Sequence, residues 1–204
     1  MIKRKCIGIF LAACLLGIPV SSVAVETAGA QTSQGYETID LSSGFLSVEA
    51  EDPRIERKDS FEIVSNASSF GGAYVMSSNG YGVFTDPSEV KDYGLGFHLT
   101  APEKDVYSVW LYARADYWAS DEIYYATNND IYDVKLLSTK KQWYWIRLAN
   151  ISLEQGDNLF KLAYKEGLFM IDKVVITNNL SYKPEGDTSA APEIRPGEEQ
   201  LLFN

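Results

Sequence analysis

The chain has 204 residues, of which 46% are hydrophobic and 23% charged, and its formal net charge is −10. This length suits one domain with tails, and the apolar fraction is too high for a disordered acidic protein. The negative balance excludes a typical nucleic-acid-binding surface, which needs clustered lysine and arginine, and the single histidine, His98, excludes any mechanism that needs two.

Residues 1–30 have the three parts of a secretory signal peptide. A basic start, Lys3-Arg4-Lys5, precedes a nearly apolar run over 6–20, and small residues ending at Ala30 precede a polar stretch. The run is shorter than the roughly 20 residues that a membrane-spanning helix needs. We therefore expect cleavage after Ala30, with Ala24 as the alternative, no membrane span, and a protein that is secreted or held in the cell envelope.

Both cysteines, Cys6 and Cys14, lie in this leader. The mature chain would hold no disulfide, which favours export in a bacterium. The sequence Leu11-Ala12-Ala13-Cys14 also resembles a bacterial lipobox, so a lipid anchor on Cys14 is an alternative outcome. Removing residues 1–30 takes away three basic residues and one acidic residue, which lowers the formal charge from −10 to −12.

The mature chain divides into three parts by composition. Residues 31–42 are rich in Gln, Thr, Ser and Gly and are predicted to be a linker, and 183–204 contain three prolines and are predicted to be a flexible tail. The body over 43–182 shows β-rich runs separated by Gly, Asn and Asp turn signals; these runs are 46–50, 106–113, 123–125, 143–148, 159–164 and 170–177. About ten short strands without a long helical period predict an all-β sandwich or jelly roll.

Three carboxylates stand out within this pattern. The run Val48-Glu49-Ala50-Glu51 puts both glutamates on one face of a strand. Asp172 shares one face of its own strand with three apolar residues, Met170, Val174 and Ile176. Like charges side by side repel, and a carboxylate on an apolar face needs a partner. Either the three bind a calcium ion, which takes about 6–8 oxygen ligands, or the glutamates are solvated and Asp172 pairs with a backbone amide or Lys173.

Four segments resemble carbohydrate-binding modules of families 6 and 35. They are the opening strand Phe45–Glu51, the stretch Gly71–Val75, the strand region Ala101–Arg114 and the closing region Gly156–Asn179. The resemblance spans about 45–180, nearly the whole body. It implies a galactose-binding-like jelly-roll β-sandwich.

The resemblance also implies ligands. The structural calcium of these modules is held by the glutamates of the first strand and the aspartate of the last, which correspond to Glu49, Glu51 and Asp172. Their usual sugar cleft lies at a loop end and uses two aromatic residues and an asparagine. That asparagine commonly stands two residues before the aspartate, where this chain has Met170. Its polar role is therefore expected to fall to Asn178, with Gln142 or Asn128 as alternatives.

Aromatic residues in loops are the candidates for sugar stacking, because sugar rings present apolar C–H faces and also need hydrogen bonds. Tyr117-Trp118 lies in a loop-like stretch, and Trp143 stands at the start of a strand. We predict that they bind carbohydrate. Trp110 and Trp145 lie within strands and are expected to be structural, as is His98.

Export, a sandwich, a calcium cluster and loop aromatics together predict a secreted non-catalytic carbohydrate-binding protein. We expect a polysaccharide or oligosaccharide as partner, no nucleic acid, structural calcium as the cofactor and a monomer.

Two other functions stay open. A small glycosidase or polysaccharide lyase would need two carboxylates about 5–10 Å apart across a cleft. The acids available for this lie beside Trp118 and are Asp116, Asp121 and Glu122. An envelope protein-interaction or adhesion module would instead use the apolar end Leu201–Phe203 and a lipid on Cys14.

Overall fold

Strands make up most of the part of the chain that the computed structural model describes, which is residues 36–58, 61–78, 84–91, 93–116, 122–129, 131–136 and 141–184. The predicted signal peptide over 1–30, the lipid site Cys14, and the candidates Tyr117 and Trp118 lie outside these residues. So do 31–35 of the predicted linker and 185–204 of the predicted tail. Among the described residues, no helix is long and apolar enough to cross a membrane.

Two sheets share these strands. Sheet I contains β1 (Ile39–Asp40), β3 (Glu56–Arg57), β6 (Leu95–Ala101), β8 (Glu122–Thr127), β9 (Asp133–Leu136) and β11 (Gly156–Tyr164). Sheet II contains β2 (Phe45–Glu49), β4 (Phe61–Ser65), β5 (Ala73–Ser77), β7 (Asp105–Ala115), β10 (Tyr144–Leu153) and β12 (Phe169–Thr177). Short 3₁₀ turns cover Phe70–Gly72 and Pro87–Val90.

The strand order is β1-β6-β11-β8-β9 in sheet I, with β3 beside β6, and β10-β7-β12-β5-β4 in sheet II, with β2 beside β12. The described pairings are antiparallel, apart from the short parallel pair of β1 with β6. β12 is central in sheet II, and all nine of its residues are buried. The predicted all-β sandwich is confirmed.

Alternating apolar residues from both sheets form the core. On β11, Phe160, Leu162 and Tyr164 are fully buried, as their alternation predicts. On β2 the inward residues are Leu46 and Val48. On β2 and β11 the strand signals in the sequence therefore report the inner faces correctly, because each sheet has one side against the core.

The sandwich begins earlier than its predicted boundary at residue 43. Ile39 and Asp40 form β1 against β6, and both Ile39 and Leu41 are buried in the core. The predicted linker over 31–42 is thus wrong for its last residues. Burial of Ile39 and Leu41 holds this segment in the sandwich, although most residues around them are polar.

Candidate functional site

Three carboxylates meet where β2 leaves sheet II. Glu49 ends β2, Glu51 lies in the turn after it, and Asp172 lies on the neighbouring β12. Each offers one oxygen, and these oxygens lie within 4.8 Å of one another. The structure therefore brings together the three residues that the sequence singled out as metal ligands.

A β-bulge places Asp172 in this cluster. The pairing of β12 with β7 shifts register between Ile171 and Lys173, so both Ile171 and Val174 face the core. Met170 instead pairs with Arg114 on the outer face of sheet II. The simple alternation that put Asp172 on one face with Met170 and Val174 is wrong here, because the bulge inserts one residue into the strand.

Burial makes the cluster costly without a partner. Asp172 is 1% exposed, and its Oδ1 and the Oε2 of Glu51 have no hydrogen-bond partner among the described residues. Burial raises the pKa of both Glu51 and Asp172 to about 7, and repulsion from Glu49 adds to the rise. Buried carboxylate oxygens crowded in this way suit a hard divalent cation, which prefers oxygen ligands.

The turn at Phe70–Gly72 closes over the carboxylates. The backbone N–H of Phe70 donates to Asp172 Oδ2 at 3.2 Å. Gly71 has a φ of 55°, and a Cβ there would lie 2.9 Å from Glu51 Oε1. A side chain at Gly71 would thus meet both backbone strain and a carboxylate oxygen, so glycine lets the turn approach the cluster.

Lys173 lies against the same cluster. It pairs across the strands with Glu49, and its Nζ is 2.9 Å from Glu49 Oε1. Its Nζ also lies 4.3 Å from the centre of the Phe70 ring. The sequence offered Lys173 as a partner for Asp172, and the structure pairs it with Glu49 instead.

An aromatic platform lies next to this cluster on the outer face of sheet II, formed by Tyr74, Tyr112, Trp143 and Trp145. The ring of Trp143 is 5.3 Å from Tyr74 and 5.4 Å from Tyr112 between centres. Trp145 is 5.4 Å from Tyr112. Tyr112 is buried, whereas the other three are partly exposed. Trp143 was predicted from sequence as a sugar contact, Trp145 was expected to be structural, and Tyr74 and Tyr112 were missed.

Polar groups border this platform. Arg114 follows Tyr112 on the outer face of β7 and forms a two-armed ion pair with Asp116, at 2.6 and 3.0 Å. Its side chain is 35% exposed and that of Asp116 is 28% exposed. Hydrogen-bonding groups and aromatic rings therefore occur together at this end of sheet II.

Asn178 does not join this group. Trp143 directly precedes β10, which starts at the pairing of Tyr144 with Ala113. Asn178 directly follows β12, which ends at the pairing of Thr177 with Ser108. Ala113 and Ser108 are about 17 Å apart along β7, at roughly 3.3 Å per residue.

Local bonds account for the position of Asn178. Its Nδ2 donates to Asp105 at 3.2 Å, and a Cβ at Gly44 would lie 2.5 Å from its Oδ1. Asn178 thus joins the start of β7 to the turn before β2, away from the platform.

Two of the three acids considered for hydrolysis lie within the described residues, and both form ion pairs. Asp116 pairs with Arg114, and Glu122 pairs with Lys165. Asp121 and Trp118 lie outside the described residues. Trp110, predicted to be structural, has the guanidinium of Arg147 at 5.9 Å from its ring centre.

Comparison with known proteins agrees with this fold. A family 35 carbohydrate-binding module from Clostridium thermocellum is similar, with a TM-score of 0.52 and 15% identity over 65% of this chain and 98% of that one. The family 35 module of Abf62 from Cellvibrio japonicus has a TM-score of 0.52 and 18% identity, covering 65% of this chain and 93% of that one.

A third similar structure is larger. The GH26-CBM35 β-(1,4)-mannanase from Podospora anserina has a TM-score of 0.53 and 14% identity over 70% of this chain, but the match covers 29% of the mannanase. No protein-family model and no curated protein match the sequence. The fold is therefore that of a family 35 carbohydrate-binding module, a β-sandwich, as the resemblance in the sequence implied.

Proposed function

We propose that this protein is a non-catalytic carbohydrate-binding protein, and that its aromatic platform contacts the sugar. The observation that carries the proposal is the partly exposed Trp143, held by Tyr74 and Tyr112 beside the Arg114–Asp116 ion pair. The family 35 fold supports the same class of ligand.

Sugar chemistry explains why this surface suits the role. The C–H face of a pyranose ring packs on an aromatic face, and its hydroxyls need donors and acceptors at the edge. Trp143 and Tyr74 offer the apolar contact, whereas Arg114 and Asp116 offer both kinds of hydrogen-bonding group. Because ion pairs already hold Asp116 and Glu122, the described acids support binding better than hydrolysis.

We further propose that Glu49, Glu51 and Asp172 hold a structural calcium ion. The buried, unpartnered oxygens of Glu51 and Asp172 fit such a cation. A cation held between the end of β2 and β12 would join two strands that are distant in sequence. Binding to the folded state would also stabilise it by mass action.

Export remains a proposal based on residues 1–30, whose pattern is that of a bacterial signal peptide. We propose a secreted or envelope-bound protein that acts as a monomer. N-terminal sequencing of the exported protein would show cleavage after Ala30, whereas radiolabelled palmitate on Cys14 would show the lipidated form. Sedimentation at equilibrium would test the monomer.

The test of binding is a glycan array followed by calorimetry with the positive polysaccharides, both with calcium present. We expect saturable but weak binding to one sugar, since a shallow surface buries little of its ligand. Absence of binding to plant, microbial and host glycans would contradict the proposal. Release of reducing ends from the same polysaccharides would replace it with the enzyme alternative.

One observation favours a second function, a protein-interaction module. Ile131, which is 78% exposed, precedes the edge strand β9. Val134, which is 49% exposed, lies within β9. An exposed apolar edge can pair with another chain. A pull-down from envelope extracts that recovers a protein, and that Val134→Lys abolishes while soluble sugars do not, would support this role.

A further inference from the structure

Lys173 is a buried cation beside the carboxylate cluster. Among the described lysines and arginines, it alone is buried, with 1% exposure. Glu49 Oε1 lies 2.9 Å from its Nζ, and the Phe70 ring centre lies 4.3 Å from it. A buried ammonium is costly unless it is paired, so these contacts fix a positive charge at the site.

The charges of the ionised cluster suit one class of ion. Three carboxylates and one ammonium leave a net charge of two negative units. A divalent cation neutralises this charge, whereas a monovalent ion leaves a negative site and a trivalent ion leaves a positive one. Net charge is unfavourable where water is excluded.

We propose that Lys173 is a specificity-determining residue, which makes the cation site selective for divalent over trivalent ions. This inference rests on the proposed calcium binding and adds the reason for the choice of ion. Without Lys173, three carboxylates would match a trivalent ion instead.

Other charges near the cluster face solvent. Arg57 donates to the carbonyl oxygens of Glu51 and Asp52, at 3.1 and 3.0 Å, and is partly exposed. The Asp52 carboxylate pairs with Arg54 at 2.8 Å. Water screens these groups, so they affect ions of different charge less than Lys173 does.

The test compares Lys173→Met with the natural protein by calorimetric titration of Ca²⁺ and La³⁺ at one pH and ionic strength. Methionine keeps the unbranched apolar stem against Phe70 and removes the charge. La³⁺ carries one more unit of positive charge than Ca²⁺, so Lys173 repels La³⁺ more strongly than it repels Ca²⁺. The ratio of La³⁺ to Ca²⁺ affinity should therefore rise roughly 10- to 100-fold in the variant.

Two controls isolate the charge of Lys173. Lys104→Met removes an exposed lysine that pairs with Glu154 and should leave the ratio unchanged. Lys173→Arg keeps the charge and should hold the ratio within about threefold of the natural value. If Lys173→Met fails to fold by circular dichroism, Lys173→Gln removes the same charge and should raise the ratio likewise.

An unchanged ratio in a folded, charge-removed variant would overturn the role of Lys173, even if both ions bound more tightly. In that case Lys173 would weaken the binding of both ions equally by occupying the position of the cation, and it would not discriminate between ions of different charge. Failure of the natural protein to bind either ion would instead overturn the calcium site itself, and the selectivity with it.

Discussion

The outer faces of the two sheets differ in chemistry, although the same alternation of side chains builds both. Around β1, β6 and β11 the outer face of sheet I is polar: Thr100 lies between Asp40 and Asp157 and donates to Asp157 at 3.2 Å. On sheet II the strand β7, next to the central β12, instead turns Trp110 and Tyr112 outward. Water satisfies a polar face, whereas partly exposed aromatic rings offer an apolar surface on which a ligand can pack.

His98 shows what the polar face does. Its Nε2 lies 3.2 Å from Glu56 on β3, and the ring of Tyr36 stacks on it at 5.4 Å. These contacts tie two short segments to β6, in agreement with the structural role expected of a lone histidine. We therefore expect ligand binding on sheet II, whereas the polar contacts around His98 hold short segments to sheet I.

The largest expected effect comes from Asp172→Asn. In the natural protein, calcium at about 100 times its Kd should stabilise the fold by about 2.7 kcal/mol. The variant should lose this gain, because it removes a buried ligand oxygen and its charge. Thermal unfolding with and without calcium measures the difference.

Asp157→Asn is the matched control, since it makes the same change on the exposed face of sheet I. It should keep the calcium-dependent rise in melting temperature. Equal loss in both variants would remove the distinction between the faces.

The next effect is the pH dependence of the calcium-free protein. The folded-state pKa of Glu51 and of Asp172 is about 7, above their ordinary values of 4.5 and 3.8. Between these limits the folded state binds more protons than the unfolded state, so stability rises as the pH falls from 8 to 5. Allowing for solvent screening at Glu51, we expect a gain of about 2 kcal/mol.

Urea unfolding in a chelator at several pH values measures this gain. Saturating calcium should reverse the trend, because protons and the cation compete for the same oxygens. The double variant Glu51→Gln, Asp172→Asn should show a flatter profile than the natural protein. A natural protein whose stability falls steadily from pH 8 to 5 in chelator would contradict the assignment.

Trp143→Ala tests the platform and should weaken sugar binding about tenfold, through the loss of one stacking surface. Tyr36→Ala removes an aromatic ring from the other face, where it stacks on His98, and should leave sugar affinity unchanged. Calorimetry with the polysaccharide found on the array measures both. Weaker binding in Tyr36→Ala alone would move the sugar site to sheet I.

The sequence predicted the sandwich because alternation is a local property. Leu46 and Val48 on β2, and Phe160 and Leu162 on β11, alternate with polar residues and lie in the core. The predicted cation ligands also meet in space, as the resemblance to family 6 and 35 modules implied.

Features that depend on pairing between strands could not be predicted. Tyr74 and Tyr112 meet Trp143 because separate strands align in sheet II, and alternation within one strand does not report its neighbours. The bulge at Asp172 has no signature in a run of apolar residues. Asn178 was selected to replace a missing asparagine, without information on the end of the sheet at which it lies.

Phe70→Leu should have the smallest effect and tests whether the cation site and the platform act together. The backbone of Phe70 bonds Asp172, and its ring lies 5.6 Å from Tyr112, which packs on Trp143. Calcium would thus order a ring that supports the sugar surface. In the natural protein, calcium should strengthen sugar binding about threefold, and sugar should strengthen calcium binding equally.

In Phe70→Leu the backbone bond remains while the ring contact is lost. Calcium affinity should then change little. The factor by which calcium strengthens sugar binding should fall from about three towards one, which means no coupling. Phe45→Leu makes the same change at the other end of sheet II, where the ring packs on Tyr182, and should leave the coupling intact. If the coupling survives in Phe70→Leu, it does not run through the Phe70 ring, and if calcium leaves sugar affinity unchanged in the natural protein, the two sites act independently.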